Sequence, residues 1–190
     1  MRRIIASERV TLDGFIARPN GEMDWMEAFF DEALADYESE LQQRIDTVMF
    51  GRVTYQGFEG YWPMVAEDPA SPKDQAEYAR RFNALRKVVF SRTLAHAGWN
   101  NSALIREIEP EAIMRMKQEP GRDIVIFGSA SVVQTLTNLG LIDIYQLLVY
   151  PIVLGSGKPL FHHIVHTVNL KLTDTNRHPS GVVALSYQRV

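Results

Sequence analysis

The chain has 190 residues, 46% of them hydrophobic, which is enough to fill one substantial core and indicates a single domain over residues 1–190. Its 20 basic and 23 acidic residues give a net charge of -3 and are spread along the sequence, which argues against nucleic acid or an anionic membrane surface as a partner. The absence of cysteine excludes disulfides, thiolate metal sites and cysteine nucleophiles. With no signal-peptide core after Met1 and no apolar segment of membrane-spanning length, we expect a cytoplasmic protein.

The first quarter of the chain predicts two strands and one long helix. Residues 4–12 mix branched apolar and polar side chains, Asp13-Gly14 favours a turn, and residues 15–17 resume an extended run. Apolar residues then recur at three- and four-residue spacing from Met26 to Leu41. This pattern predicts an amphipathic helix that begins at Asp24, whose side chain can cap it.

The middle of the chain alternates strand and helix patterns. A short buried strand at residues 47–50 precedes a helix at residues 52–58, which Gly60 and Pro63 interrupt. Residues 63–74 contain three prolines and few large apolar side chains, so they predict a surface loop that could act as a lid.

The remaining segments continue this alternation and end in a hairpin. Strands are predicted at residues 87–90, 103–105, 124–127 and 144–153, helices at residues 74–85, 110–119 and 129–139, and hairpin strands at residues 169–175 and 182–187. Strands alternating with helices predict an α/β sandwich with a mostly parallel central sheet, to which the hairpin adds an antiparallel edge.

Three predicted strands end beside residues suited to binding phosphate. They are followed by Gly51-Arg52-Val53-Thr54, by Ser91-Arg92 and by Gly128-Ser129-Ala130-Ser131. Glycine lets the backbone approach a ligand, a new helix presents unpaired N–H groups, and arginine and hydroxyl side chains add charge and hydrogen bonds. Taken singly, each segment is also explained as a tight turn, a solvated charge or a simple cap. Because ligands of open α/β sheets bind at the carboxyl ends of strands, the three together favour a dinucleotide, although the G-x-G-x-x-G signature is absent.

Two other groups of residues have both a functional and a structural interpretation. His162, His163 and His166 include a pair at metal-ligand spacing, but no acidic partner follows nearby, which favours packing or solvent exposure over a metal site. Six aromatic residues would either line a substrate pocket or fill the core: Trp25, Trp62, Trp99, Tyr55, Phe58 and Tyr61.

Five segments occur in the order and spacing of a known family. They are Ala6-Ser7, Asp13-Gly14-Phe15-Ile16-Ala17, Gly51-Arg52-Val53-Thr54-Tyr55, Ile126-Phe127-Gly128-Ser129-Ala130 and the segment from Tyr150 to Phe161. Over nearly its whole length, the sequence therefore resembles the reductase domain of riboflavin biosynthesis and its stand-alone dihydrofolate-reductase-like relatives. Because it has no cysteine, the chain is not expected to carry the zinc-dependent deaminase of the bifunctional members.

The resemblance implies a dihydrofolate-reductase-like three-layer sandwich, NADPH as the hydride donor and, commonly, a homodimer. It assigns cofactor binding to Ala6, Gly14, Gly51, Arg52, Thr54, Ser91, Arg92, Gly128, Ser129, Ala130 and Ser131. It assigns substrate binding to Trp25, Tyr150, Leu154 and Gly155. The candidate acids are Asp13, beside the nicotinamide, and Asp31, on the first helix.

Helix spacing bears on the identity of the substrate. Asp31 is about 100° around the predicted helix from Phe30, which shares the apolar side, so its carboxylate is expected at the margin of the pocket. Dihydrofolate is therefore not the expected physiological substrate. The sequence predicts an NADPH-dependent reductase that transfers hydride to a small pterin-, folate- or ribosylamino-pyrimidine-like heterocycle. Two alternatives stay open, namely an NADP(H)-binding sensor without catalysis and a protein that binds flavin in the same cleft.

Overall fold

Strands and helices alternate along most of the chain. The computed structural model describes residues 1–190 and contains ten strands and five α-helices. In chain order they are β1 Ile4–Thr11, β2 Phe15–Ala17, α1 Glu32–Arg44, β3 Ile45–Gly51, α2 Arg52–Glu67, α3 Lys73–Ala84, β4 Arg86–Phe90, β5 Ser102–Ile105, α4 Pro110–Gln118, β6 Asp123–Ile126, α5 Ala130–Asn138, β7 Ile144–Tyr150, β8 Lys158–Pro159, β9 Leu170–Arg177 and β10 Val183–Arg189.

Eight of the strands form one sheet in the order β5-β4-β3-β6-β1-β7-β10-β9. The first six run parallel, while β10 is antiparallel to both β7 and β9. This arrangement confirms the predicted α/β sandwich with a mostly parallel sheet and an antiparallel hairpin at its edge. The strands β2 and β8 form a separate small sheet. None of the helices combines the length and the apolar character that crossing a bilayer requires.

Side chains of β1 alternate between the two faces of the sheet. Ile4, Ala6 and Val10 pack in a cluster with residues of α4 and α5, whereas Ile5 belongs to a cluster that includes residues of α1, α2 and α3. The strand also extends past its neighbour, because β6 pairs only with Ile4 to Ala6 whereas β7 follows β1 to Thr11. The second half of β1 is therefore open on its β6 side.

The long helix predicted to begin at Asp24 is instead divided in two. A 3₁₀ helix spans Asp24–Phe29, Phe30 has extended backbone angles, and α1 begins after Asp31. The carboxylate of Asp31 accepts a hydrogen bond from the Leu34 N–H at 2.8 Å, so Asp31 caps the helix that was predicted to continue through it. Asp24 is not a cap and forms an ion pair with Arg18 at 2.7 Å.

The helix α2 is longer than its sequence predicts, and the surface loop predicted over residues 63–74 is confined to residues 68–72. The helix continues through Pro63 to Glu67, and only residues 68–72 separate it from α3. Proline inside a helix removes one hydrogen bond and costs about 3 kcal/mol. Packing offsets this cost because the rings of Trp62 and Phe82 lie 5.4 Å apart between α2 and α3, and Val65 is buried.

Candidate functional site

The three strand ends predicted to bind phosphate lie side by side. Because β4, β3 and β6 are neighbours in the parallel sheet, the segments that follow Phe90, Gly51 and Ile126 leave from the same edge. The helix α2 begins directly at Arg52, and α5 begins after Ser129. Two helix N-termini and one loop therefore meet at the carboxyl edge of the sheet, where ligands of such folds bind.

The starts of α2 and α5 are in direct contact. A Cβ atom at Gly51 would collide with the side chain of Ser129, and one at Gly128 would lie 2.9 Å from Thr54 Oγ1. Gly128 also has a φ of +70°, a backbone conformation that side-chain-bearing residues rarely adopt. Both glycines are thus required by the close approach of the two chain segments.

These two helices lack the N-terminal groups that the other helices carry. Neither α2 nor α5 has a side-chain cap or an acidic residue in its first turn. By contrast, acidic residues occupy the first turns of α1, α3 and α4, at Glu32, Asp74 and Glu111. Uncapped N–H groups and the positive end of the helix dipole favour an anion at α2 and α5, so these residues fit the phosphates of a dinucleotide.

Two exposed arginines follow strands that end at this edge of the sheet. Arg52 is exposed, donates to Gln56 Oε1 at 3.2 Å and forms no ion pair, and Arg92 is likewise exposed and unpaired. Ser91 Oγ accepts from the Leu94 N–H at 3.0 Å, which shapes the turn after β4. Arg106 donates to the carbonyl oxygens of Ser91 and Leu94 at 3.1 and 2.5 Å. The sequence reasoning missed Arg106, although it directly follows β5 and so marks a fourth strand end at this edge.

An open cleft of about 540 Å³ lies beside the two glycine segments. It is formed mainly by α1, α2, α3 and the carboxyl ends of β1 and β7, and eleven of its fifteen lining residues are hydrophobic. The lining residues are Arg9, Met26, Glu27, Phe30, Leu34, Ala35, Glu38, Gly57, Phe58, Tyr61, Trp62, Tyr78, Phe82, Phe127 and Tyr150. Phe127 immediately precedes Gly128, which connects the cleft to the start of α5. A largely apolar cleft of this size is typical of a small-molecule site.

An ion pair lies in the wall of the cleft. Arg9 on β1 is paired with Glu38 on α1, and their side chains remain 28% and 25% exposed. Burial disfavours the charge of Arg9, but Glu38 first and then Tyr150 and Tyr78 together outweigh this cost and raise the pKa of Arg9 above its ordinary value. Burial also raises the pKa values of Tyr78 and Tyr150, so both phenols stay neutral. The sequence reasoning missed this pair because its members lie 29 residues apart.

The aromatic residues singled out from the sequence divide between cleft and core. Phe58, Tyr61 and Trp62 line the cleft. Tyr55 and Trp99 are buried core residues, and the Tyr55 hydroxyl accepts a hydrogen bond from the Trp99 N–H at 2.9 Å. His162, His163 and His166 are all exposed, and no group of three potential metal ligands forms.

The predicted substrate residues are only partly brought together. Tyr150 lines the cleft, and Trp25 packs behind it with an edge-to-face ring separation of 5.1 Å. Leu154 and Gly155 do not line the cleft, and their N–H groups donate to the Asp13 carboxylate at 3.2 and 2.8 Å. Their role in this fold is to attach the loop after β7 to the turn after β1.

Two predicted cofactor residues on the first strands occupy structural positions. Ala6 is fully buried in the core cluster between β6 and β7, so its side chain cannot border a ligand. Gly14 is exposed and lies in the turn after β1, where its N–H donates to the Thr11 carbonyl at 2.9 Å with a φ of +84°. Ala6 is the last residue of β1 that pairs with β6, so its predicted cofactor contact would be made by the backbone and stays a prediction.

Asp13, which the sequence predicts as an acid, joins two loops through hydrogen bonds. Its carboxylate accepts hydrogen bonds from the Thr11 hydroxyl at 2.6 Å and from the N–H groups of Leu154 and Gly155. The Thr11 hydroxyl first, and then these N–H groups, lower the pKa of Asp13 below its ordinary value. These contacts make Asp13 an anchor between two loops, and its role as an acid stays a prediction.

Asp31 is similarly engaged and lies outside the cleft. One carboxylate oxygen caps α1 and the other accepts from the Ser180 N–H at 2.9 Å. Hydrogen bonding to Ser180 lowers the pKa of Asp31, and its predicted role as a proton donor stays a prediction. Its contact with the β9–β10 turn instead ties the C-terminal hairpin to α1.

The sequence reasoning missed a buried carboxylate beneath the start of α5. Glu8 is 6% exposed and shares a face of β1 with Ala6 and Val10. Its Oε1 accepts a hydrogen bond from the Gly128 N–H at 2.8 Å, and burial raises the pKa of Glu8 to about 8. An acidic residue in register with core residues of a predicted buried strand was the available signal.

The sheet and its carboxyl edge define a dihydrofolate-reductase-like fold. The structure aligns with dihydrofolate reductase from Enterococcus faecalis with a TM-score of 0.62 at 14% identity, covering 98% of this chain and 96% of that one. It aligns with a pyrimidine reductase-like protein from Corynebacterium diphtheriae with a TM-score of 0.67 at 16% identity, covering 100% and 92%. The model of the RibD C-terminal domain matches residues 2–184, and the chain belongs to that family.

Curated relatives agree with this membership. The chain is 39% identical to uncharacterized protein YyaP of Bacillus subtilis (strain 168), covering 98% of this chain and 94% of YyaP. It is 26% identical to the riboflavin biosynthesis protein RibD of Corynebacterium ammoniagenes, covering 80% of this chain and 44% of RibD. The resemblance predicted from five sequence segments is therefore confirmed.

Proposed function

We propose that this protein is an NADPH-dependent reductase that acts on a small heterocyclic substrate. The observation that carries the proposal is the contact between two uncapped helix N-termini, at Gly51 and Ser129, next to an aromatic cleft. The two helix N-termini suit an anionic dinucleotide, and the neighbouring cleft suits a flat apolar ring. Neighbouring donor and acceptor sites are what a direct transfer between two bound molecules requires.

Different residues would bind the cofactor and the substrate. The N-termini of α2 and α5, with Thr54, would hold phosphates, while Arg52 and Arg92 would add positive charge and Arg106 would hold the Ser91 turn in place. Bound NADPH would supply the hydride and become NADP⁺, and water would supply the proton that the reduced ring takes up. The walls of the cleft, which include Phe58 and Trp62, would orient the acceptor ring and exclude water from it.

The names of the related proteins support this assignment. The Enterococcus faecalis dihydrofolate reductase is described as a complex with NADP(H), and the Corynebacterium diphtheriae protein as pyrimidine reductase-like. A pterin- or folate-like ring and a ribosylamino-pyrimidine-like ring are accordingly the two substrate classes to test first. A homodimer, expected from the family resemblance, stays a prediction.

Replacing the two unpaired arginines should separate binding of the shared phosphates from binding of the 2′-phosphate. We expect Arg52→Ala to weaken NADPH and NADH about tenfold alike, and Arg92→Ala to weaken NADPH about tenfold with little effect on NADH. Titration calorimetry measures both affinities. Arg115→Ala is the matched control. Arg115 is exposed in the last turn of α4, close in sequence to Glu119, which pairs with Arg86 at 2.7 Å at the opposite edge of the sheet from the proposed cofactor site. Unchanged affinities in both variants would contradict the cofactor site.

Turnover distinguishes a reductase from a sensor. Stopped-flow absorbance should detect substrate-dependent NADPH oxidation in a panel of pterins, folates and ribosylamino-pyrimidines. Tight NADPH binding without oxidation across this panel would favour the sensor. That outcome is compatible with the structural hydrogen bonds of both candidate acids, Asp13 and Asp31. A purified protein that is yellow would favour the flavin alternative.

A further inference from the structure

The cleft is poor in charge compared with the cofactor edge beside it. Among its fifteen lining residues only Arg9, Glu27 and Glu38 are charged, and the single cation, Arg9, is already paired with Glu38. The cleft as a whole therefore carries one net negative charge. No unpaired cation in its lining is available to a substrate phosphate, whereas Arg52 and Arg92 remain unpaired at the cofactor edge.

The walls of the cleft suit a flat ring. Phe30 and Tyr61 are 75% and 42% exposed, an unusual state for large aromatic residues unless they face a ligand or partner. The ring of Trp62 is partly buried, and its centroid lies 4.9 Å from that of Tyr61 and 5.1 Å from that of Tyr78. Several aromatic surfaces around one open cleft favour stacking on a planar molecule.

The Arg9–Glu38 pair offers one polar contact to such a ring. Both side chains keep about a quarter of their surface exposed, so guanidinium N–H donors and a carboxylate acceptor lie next to each other in the wall. A neutral ring amide, with adjacent C=O and N–H groups, matches this donor and acceptor. A phosphate would leave water for a site where Glu27 and Glu38 repel it, a loss that no free cation offsets.

We propose that the cleft takes an uncharged, planar, amide-bearing heterocycle and discriminates against its phosphorylated form. This inference rests on the proposed function, of which it specifies the acceptor. It separates the candidate substrates, because an unphosphorylated pterin-like or pyrimidine-like ring fits the cleft and a ribosyl phosphate does not.

Riboflavin and its 5′-phosphate, FMN, are a suitable pair of probes, because they share a fluorescent planar ring with an amide edge and differ by one phosphate. The titration is done with NADP⁺ present in saturating amounts, so that the FMN phosphate cannot occupy the helix N-termini. We expect riboflavin to bind at least tenfold more tightly than FMN. Equal or tighter FMN binding, or no binding of either flavin below millimolar concentration, would overturn the proposal.

Removing a negative charge from the wall of the cleft should reduce the preference for riboflavin over FMN. Glu38→Gln keeps an oxygen for Arg9 but removes the neutralising charge, so FMN affinity should rise about tenfold relative to riboflavin. Glu40→Gln is the control, because Glu40 is exposed on α1 and does not line the cleft. If Glu38→Gln does not fold, as judged by thermal melting, Glu27→Gln should shift the ratio severalfold in the same direction. An unchanged ratio in the folded variant would overturn the proposal.

Failure of this inference and failure of the proposed function give different experimental results. NADP⁺ binding is measured separately by calorimetry in the same preparation. If NADP⁺ does not bind, the proposed function is wrong whatever the flavins do. If NADP⁺ binds and FMN is preferred, only the inference about the acceptor is wrong.

Discussion

Replacing Gly51 by alanine is expected to weaken NADPH binding more than tenfold and to destabilise the fold by about 1–3 kcal/mol. The backbone angles of Gly51 are ordinary, with a φ of -83°, so the effect is steric. The new Cβ atom would collide with the Ser129 side chain and push apart the starts of α2 and α5. Both helix N-termini would then point their N–H groups away from a shared dinucleotide.

A second substitution tests whether this contact is the cause. Ser129→Gly removes the side chain that the Cβ atom would meet, so the double variant should recover most of the lost stability and affinity. Gly60→Ala is the matched control, because Gly60 lies in the same helix with no atom within 4 Å and should stabilise the protein by about 0.5–1 kcal/mol. Urea unfolding and NADPH calorimetry measure the two effects. Additive losses in the double variant would contradict contact between the two segments.

Glu8→Gln is expected to remove a pH dependence of stability of about 3 kcal/mol between pH 5 and pH 7.5. The pKa of Glu8 rises from an ordinary 4.5 to about 8 in the folded protein because burial disfavours the carboxylate. Between these values the folded chain keeps a proton that the unfolded chain has lost. Stability contributed by neutral Glu8 is therefore complete below pH 4.5 and is lost as the pH rises towards 8.

Glutamine preserves the contact while removing the titration. Its side-chain oxygen can still accept from the Gly128 N–H, so the variant should gain stability relative to the wild type as the pH rises. In the wild type, ionised Glu8 would also place a negative charge beneath the proposed phosphate site, so NADPH affinity should fall above pH 8 and stay constant in the variant. Urea unfolding and calorimetry at several pH values test both effects, with Glu40→Gln as the exposed control. Parallel pH profiles for wild type and Glu8→Gln would contradict this role.

Local features of the sequence were sufficient to predict most of the architecture and half of the site. Alternation of strand and helix patterns predicted the parallel sheet, because periodicity and turn residues act over a few neighbouring positions. Gly51 and Gly128 were predicted on the same grounds, and in a parallel sheet the strands that precede them must end at the same edge. Arg52 and Arg92 were predicted as site residues for the same reason, because each comes directly after the end of a strand or one residue later.

Roles that depend on distant partners were not predictable in this way. Asp13 and Asp31 were predicted as acids, but their hydrogen bonds come from Gly155 and Ser180, which lie 142 and 149 residues further along the chain. Together with the hydroxyl groups of Thr11 and Ser180, which act most strongly, those N–H donors lower the pKa of both carboxyl groups. No property of an isolated aspartate distinguishes a proton donor from such an anchor.

The sequence by itself determined the order of the elements, the hairpin, the glycine-bearing strand ends and, through five segments, the family. Only the tertiary structure decided that α1 begins at Glu32 with Asp31 as its cap, that Arg9 is neutralised by Glu38 and that Glu8 is buried under Gly128, 120 residues away. The physical reason is that backbone preference and periodicity are local, whereas burial, ion pairing and pKa depend on groups that meet only when the sheet and helices have packed.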